Sequence, residues 1–206
     1  MARTKEKKRR DRAEEIREAA DQLFCEKGYD GVSMRDIAER AQVNKGLLFY
    51  YYKSKADLFE LVLARYYEAH REALASAFAA EGTLRERIHR MIEAYMSFMA
   101  DNQRYARLVQ QQVAELETHE LIQRNLAPLF EWTISALSGV TDANGPLAAR
   151  HFWITFSGLV INYFTYAPLI DKLWSGDPLA AEQIAERRAH VHWMVDAILE
   201  KLSPAE

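Results

Sequence analysis

The sequence predicts an all-α protein, and three observations lead to this prediction. Glycine and proline are scarce, with 8 and 5 residues in a chain of 206, so few sharp turns are available. Apolar residues recur every three or four positions over most of the chain, as on one face of a helix. No stretch shows the apolar–polar alternation that is typical of a strand. We therefore expect about nine helices, with a three-helix N-terminal domain joined by a long helix to a larger helical domain.

The first predicted helix spans residues 13–27. Its apolar residues Ile16, Leu23 and Phe24 lie at helical spacing, so they share one face. Gly28 follows at once and can end the helix, because glycine readily takes the left-handed conformation of a C-terminal cap.

Two short helices come next and are joined by a tight turn. Ser33 can cap the helix at residues 34–40, with Asp36 three positions later as in a capping box. Asn44 can cap the following helix, residues 45–51. Two short helices around a turn, the second polar at its start, are typical of a helix-turn-helix. The second helix of that motif enters the major groove of DNA.

The rest of the chain carries a long helix and five more. The long helix, residues 55–80, can be capped by Ser54 and keeps its periodicity throughout. Pro128 lies inside a later helix, where we expect a kink. Residues 139–146 form the clearest loop. The further helices are predicted at residues 84–99, 105–113, 121–137, 147–167 and 178–202.

Positive charge is concentrated at the N-terminus, although the whole chain has a net charge of −3. Residues 1–12 hold seven Lys and Arg against two acidic residues, a charge of +5, as in basic arms that contact phosphates. A solvated tail without such contacts is the alternative. We divide the chain into a basic arm (residues 1–12), a helix-turn-helix domain (13–58) and a helical regulatory domain (59–206).

The residues that open the second helix of the motif can reach DNA. Asn44, Lys45 and Gly46 face the groove, and Gly46 lets the backbone come close. The hydroxyls of Tyr50 and Tyr51 can reach phosphates while the two rings pack on the scaffold.

Two further side chains stand at helix N-termini, where backbone amides attract anions. Lys55 begins the long helix, so its ammonium and the helix N-terminus can hold one phosphate together. Ser33 offers a similar position before the helix at residues 34–40.

Two runs of sequence, GYDGVSMRDIA at residues 28–38 and VNKGLLFYYYKSK at residues 43–55, resemble the DNA-binding domain of TetR-type regulators. The resemblance covers roughly residues 13–60. It implies DNA contacts at matching positions, with Arg35 the best candidate for a guanine contact; a solvated helix charge is the alternative. The full candidate DNA-binding set is Ser33, Met34, Arg35, Asn44, Lys45, Gly46, Leu47, Phe49, Tyr50, Tyr51 and Lys55.

The chain departs from the family pattern at two of these positions. The family often has threonine where this chain has Leu47, and tyrosine where it has Phe49. Leu47 cannot donate a hydrogen bond, so it can instead meet a thymine methyl group. Phe49 lacks the hydroxyl, which puts a phosphate contact from that position in doubt.

Beyond residue 60 the resemblance implies an all-α ligand-binding and dimerisation domain. The residues themselves show a helical segment with an aromatic-rich interior. Several of its aromatic and polar side chains can line an apolar pocket, although each taken singly can equally be ordinary core. The candidate ligand-binding residues are Phe98, Tyr105, Gln112, Phe130, Trp132, Phe152, Phe156 and Tyr163.

The last two helices are predicted to form a homodimer. The final helix has an apolar stripe that includes Val191 and Val195, with a spacing close to that of bundle seams. Residues 152–170 carry no charge and are long enough for a membrane span. We reject that alternative because polar residues, a glycine and a proline dilute the run, and a buried dimer helix has the same pattern.

Other chemistries find no support in the sequence. No HExxH, CxxC, GxGxxG or phosphate-binding loop occurs, so we expect no metal, no cofactor and no enzymatic activity. The single cysteine, Cys25, excludes an intrachain disulfide and fits a reducing cytoplasm. It lies among apolar neighbours, which favours a core residue over a redox sensor. Residues 1–12 are charged and are followed by no apolar segment of the signal-peptide kind, so we expect no signal peptide.

The hypothesis is a homodimeric, cytoplasmic repressor that binds a palindromic operator and is released by a small, largely apolar effector. In the expected mechanism, ligand binding moves the long helix and so changes the spacing of the two recognition helices. The rival is a regulator of the same fold without a small-molecule ligand, controlled by a protein partner.

Overall fold

The computed structural model describes residues 2–113, 119–138, 141, 144–174 and 176–202, and their side chains except at 2–6, 8, 110–113, 119, 121, 122, 201 and 202. Across these ranges the chain forms nine helices and no strand, which confirms the predicted all-α class. The helices are α1 (Ala2–Lys27), α2 (Met34–Arg40), α3 (Lys45–Tyr51), α4 (Lys55–Ala79), α5 (Leu84–Asp101), α6 (Gln103–Val113), α7 (His119–Leu137), α8 (Ala149–Leu173) and α9 (Ala181–Leu202). Pro128 lies inside α7.

Helix α1 begins at Ala2 rather than at residue 13, so the basic arm continues the first helix. Residues 2–12 contain neither glycine nor proline and are rich in Lys and Arg, which have high helix propensity. An ion pair between Arg12 and Glu15 (2.6 Å) joins the arm to the next turn. The periodicity did not reveal this extension because the arm has no apolar face.

The predicted bounds of the last two helices were wrong by several residues. Helix α8 runs through Pro168 to Leu173, since one proline removes one hydrogen bond and the later turns keep theirs. Helix α9 begins at Ala181, after a turn in which the Asp177 side chain accepts a hydrogen bond from the Leu179 amide (2.8 Å). Aspartate at a turn start therefore delays the helix beyond residue 178.

The described residues divide into two compact units. The first unit comprises Met1–Tyr67 and Arg107–Asn125, and the second comprises Glu68–Ala106 and Leu126–Glu206. Helix α4 contributes residues to both. The three functional domains proposed from the sequence remain a prediction.

The first unit is built on α1, α2, α3 and the start of α4. Its most buried large side chains are Ile16, Leu23, Phe24, Ile37, Leu48, Leu58, Phe59 and Leu63. Next to this apolar core, the Tyr66 hydroxyl donates to the buried carboxyl group of Asp21 (2.8 and 2.9 Å). The Cys25 thiol donates to the same carboxyl group (3.6 Å) and is itself buried, as expected for a core cysteine.

In the second unit, α5 packs against both α8 and α9. Val191 and Val195 are fully buried within the chain, so the predicted partner stripe of the last helix is partly wrong. A polar network lies in the same seam: His89 and His192 are hydrogen-bonded to each other, and His89 also contacts Asp196 (2.8 Å). The charge-free run lies in α8. None of the helices in the described ranges is long and apolar enough to cross a membrane.

Candidate nucleic-acid interface

Helix α2 begins with the predicted capping box. The Ser33 hydroxyl accepts a hydrogen bond from the Asp36 amide (3.2 Å), and the Asp36 carboxylate accepts from the Ser33 amide (2.8 Å) and hydroxyl (2.6 Å). The hydrogen bonds from Ser33 hold the pKa of Asp36 below its ordinary value. The hydroxyl proton of Ser33 is therefore committed to Asp36, which leaves Ser33 a structural role at this N-terminus.

The turn between α2 and α3 is a Schellman motif. The Val43 amide donates to the Ala38 carbonyl (2.9 Å) and the Gln42 amide to the Glu39 carbonyl (3.1 Å). Gln42 has a φ of 53°, a left-handed conformation that side chains with a Cβ rarely adopt. The sequence did not predict this left-handed residue, because a glycine usually occupies the position.

Replacing Gln42 by glycine is expected to stabilise the first unit by about 0.5–1 kcal/mol, because glycine has no Cβ to strain this backbone. Urea unfolding followed by circular dichroism measures the change. Glu39→Gly is the matched control within α2, and we expect it to destabilise by about 1 kcal/mol. Equal effects of the two glycines would contradict the role assigned to the turn.

Helix α3 is held by a buried residue and by both of its ends. Leu48 is fully buried, and the Asn44 side chain caps the helix by accepting from the Leu47 amide (2.8 Å). At the other end the hydroxyl of buried Tyr52 donates to the Ala13 carbonyl on α1 (2.7 Å). Burial raises the pKa of Tyr52. The sequence reading missed this anchor, since it joins positions far apart in the chain.

With the apolar side buried, α2 and α3 expose one polar surface. Arg35 and Lys45 are exposed, and neither has a hydrogen-bond or ion-pair partner in the part of the chain that the structure describes. Gly46 is exposed beside them, and a Cβ there would lie 3.4 Å from the capping oxygen of Asn44. The surface can therefore place two cations and a closely approaching backbone against an anion.

The aromatic candidates take different positions. The Lys45 ammonium lies 5.7 Å from the centroid of the exposed Phe49 ring, so Phe49 can hold that cation by a cation–π contact without a hydroxyl. Tyr50 is 68% exposed, and its ring touches only the edge of Tyr51 (5.2 Å between centroids) among described aromatic rings. The expectation that the Tyr50 ring packs on the scaffold was wrong, because α3 turns this position outward.

Lys55 is more constrained than the sequence suggested. Its ammonium donates to the Tyr29 carbonyl (2.9 Å) and lies 4.0 Å from the centroid of the Tyr29 ring. Two of its three N–H groups stay available for a phosphate. Met34 and Leu47 are half-buried, at the edge of the exposed surface.

The candidate ligand-binding residues lie mostly in the second unit. The structure pairs Phe98 with Tyr105 (5.4 Å between centroids) and Phe152 with Phe156 (5.8 Å). The Tyr163 hydroxyl donates to the Pro178 carbonyl (2.6 Å), and thus joins α8 to the turn before α9. Phe130 contacts Trp153, and Trp132 contacts Phe78. Gln112 lies outside the residues whose side chains are described.

The pair of Phe98 and Tyr105 surrounds a histidine that the sequence reading missed. His70 on α4 is 3% exposed, and its ring stacks on Phe98 (4.9 Å) and packs against Tyr95 (4.3 Å). Burial lowers the pKa of His70 to about 3, so the ring is neutral at physiological pH. Its position between buried Tyr67 and Leu74 at helical spacing was the available signal.

Both ring nitrogens of His70 are buried, and neither has a hydrogen-bond partner among the described residues. The described residues contain no group of three or more His, Cys, Asp or Glu side chains that could hold a metal ion.

Comparisons with known proteins find a family model and related chains. Residues 16–62 match the family of bacterial regulatory proteins, tetR family. The chain is 30% identical over 91 residues to the HTH-type transcriptional activator FasR of Mycolicibacterium smegmatis, covering 44% of this chain and 42% of that protein. The chain thus spans less than half the length of this relative.

Solved structures extend the similarity of fold to nearly the whole chain. The fatty acid degradation regulator FadR of Bacillus halodurans matches with a TM-score of 0.69 and 18% identity, over 89% of this chain and 93% of that one. FadR of Bacillus subtilis in complex with stearoyl-CoA matches with a TM-score of 0.68 and 19% identity, over 86% and 96%.

Proposed function

We propose, from the match of residues 16–62 to the tetR family of bacterial regulatory proteins, that this chain is a DNA-binding transcriptional repressor. It binds a palindromic operator as a homodimer, and a small, largely apolar effector releases it. Such a protein acts in the cytoplasm, where the chromosome lies.

The observation that carries the proposal is the exposed surface of α2 and α3. Arg35 and Lys45 stand on this surface with no hydrogen-bond or ion-pair partner among the described residues, while Leu48 and the Schellman turn fix the two helices beneath them. Cations that are free of ion pairs, on two well-anchored short helices, suit the phosphates and base edges of a major groove.

The dimer is supported by apolar side chains that α8 and α9 leave exposed. Trp193 on α9 is 64% exposed, and Leu173 and Ile154 on α8 are 80% and 62% exposed. Large apolar side chains that two helices leave exposed are typical of a subunit interface. A two-fold dimer would present two α3 helices to successive turns of DNA.

Trp193→Asp is expected to raise the dissociation constant of the dimer at least about tenfold, because a charge would replace an interface aromatic. Sedimentation velocity across a concentration series measures this constant. Leu61→Asp is the matched control, since Leu61 is an exposed apolar residue on α4. A monomeric wild type, or equal effects of the two aspartates, would refute the interface.

An effector in the second unit can reach the DNA-binding surface through α4. This helix runs without interruption from Lys55, in the first unit, to Ala79, in the second. A shift of α4 would therefore act on both units, and a coupling of about 1–3 kcal/mol would change DNA affinity by about 5–150-fold. A protein partner that moves the same helix is the alternative controller.

The test is binding to the DNA that flanks the gene for this chain, measured by fluorescence anisotropy over a salt series. Lys45→Ala is expected to weaken binding to all sequences and to reduce the salt slope by about one, because one phosphate contact is lost. We choose Lys45 over Lys55 because Lys55 also holds the Tyr29 carbonyl.

Lys172→Ala, an exposed lysine near the end of α8, is the control and should change neither quantity. If neither flanking DNA nor a selection from random duplexes yields a specific site, the proposed function is wrong.

A further inference from the structure

The environment of His70 leaves one requirement unmet. A neutral imidazole always presents one N–H donor and one nitrogen acceptor. Both nitrogens of His70 are buried without a hydrogen-bond partner among the side chains and backbone that the structure describes, whereas nearly all buried polar groups in proteins are hydrogen-bonded. A missing partner explains this arrangement better than chance burial, since an apolar residue of similar size would avoid the penalty.

The surroundings define what such a partner must look like. The rings of Tyr95, Phe98 and Tyr105 lie with their centroids 4.3, 4.9 and 5.9 Å from that of His70. Phe98 is nearly parallel to the imidazole, with 9° between the planes, and so covers a ring face. Only the edge of the imidazole, with its two nitrogens, remains to be satisfied. A group that reaches this edge must lie among aromatic rings.

The same surroundings set the charge of the partner. Desolvation alone determines the low pKa of His70, with no contribution from a neighbouring charged side chain. An anionic group placed here would lose its hydration among the rings of Tyr95, Phe98 and Tyr105, and the imidazole would have to take up a proton against the same desolvation to pair with it. A cation would meet the same cost. The partner is therefore uncharged.

We propose that His70 is the hydrogen-bonding contact for an effector within the second unit. The effector is an uncharged compound with a flat apolar body and one hydroxyl, carbonyl or amide group. The regulatory role of this compound rests on the proposed function, whereas its binding at His70 does not. His70 lies on α4, the helix shared by both units, so occupancy of this site acts directly on the helix that continues to Lys55.

Three compounds with one body test the proposal: 2-naphthol, naphthalene and 2-naphthoate. Equilibrium dialysis against the full-length protein is expected to show 2-naphthol bound about tenfold more tightly than either of the others, as one buried hydrogen bond predicts. In His70→Phe this preference should vanish, so that 2-naphthol binds only as tightly as naphthalene. In His70→Gln, which keeps a donor and an acceptor, part of the preference should return.

If His70 only stabilised the fold, 2-naphthol would not change the chemical shifts of its ring nitrogens. Nitrogen-15 spectra of the His70 ring are therefore recorded with and without 2-naphthol, and a shift of one ring nitrogen on binding is expected. A buried water as the only partner would leave the binding of all three compounds unchanged in His70→Phe, and that result overturns the proposal. No saturable binding of 2-naphthol to wild type, or no preference among the three, overturns it as well.

Operator binding by His70→Phe separates this proposal from the function. If the variant holds operator DNA like wild type but has lost the 2-naphthol preference, both stand. If neither protein binds DNA specifically, the repressor proposal fails, while the dialysis result still decides the role of His70.

Discussion

Arg35→Ala is expected to weaken operator binding by about 1–3 kcal/mol, or about 5–150-fold, and to relax specificity at one base pair. Arg35 is exposed on α2 and has no ion-pair or hydrogen-bond partner within the described ranges. Its guanidinium is therefore available to make two hydrogen bonds to one guanine. Anisotropy titrations against the operator and its single-base variants measure both effects.

Arg40→Ala is the matched control on the same helix. The Arg40 guanidinium makes two hydrogen bonds to Glu26 on α1 (3.0 and 3.1 Å), so it serves the fold rather than a ligand. An exposed pair of this kind contributes at most about 1 kcal/mol to stability. Equal losses of DNA affinity in the two variants, or unchanged discrimination in Arg35→Ala, would show that Arg35 is a solvated charge.

Acidification is expected to destabilise the protein through His70 by about 2 kcal/mol between pH 7.5 and pH 5. The folded pKa of His70 is about 3, whereas an unfolded histidine titrates near 6.5. Between these values the unfolded chain binds a proton that the folded chain does not. Stability therefore falls as the pH drops from about 6.5 toward 3, and this effect is absent above about pH 7.

His70→Phe isolates the contribution, because phenylalanine does not titrate. Urea unfolding at a series of pH values should give a smaller loss on acidification for this variant than for wild type, by about the same 2 kcal/mol. His151→Gln, at an exposed histidine of α8, should keep the wild-type dependence. Parallel curves for wild type and His70→Phe would mean that His70 is charged in the folded state.

Local signals in the sequence were sufficient for the DNA-binding segment. Ser33, Asp36 and Asn44 form their caps with backbone groups three residues away, so spacing alone predicts α2 and α3. What spacing does not contain is contact between distant positions. The bond from Tyr52 to Ala13 and the aromatic surroundings of His70 depend on how helices pack, and periodicity cannot supply that.

The errors have a related cause. The stripe on α9 was correctly identified as apolar, but its period does not say whether the partner is α5 of the same chain or another subunit. Gln42 was overlooked because a left-handed residue with a side chain leaves no mark in composition. The last helix was predicted to begin at Pro178, but Asp177 forms a turn with the Leu179 amide and α9 begins at Ala181.

The buried position of Cys25 makes its alkylation rate a measure of how often the first unit opens. Its sulfur is buried against Asp21, whose carboxyl group also accepts the Tyr66 hydroxyl, so we expect a thiol reagent to reach it only after the first unit opens locally. Since the chain has no other cysteine, the rate of alkylation reports this single opening event without any engineered label. Comparing the alkylation rate with and without bound DNA would measure how much the operator slows local opening of the unit that binds it.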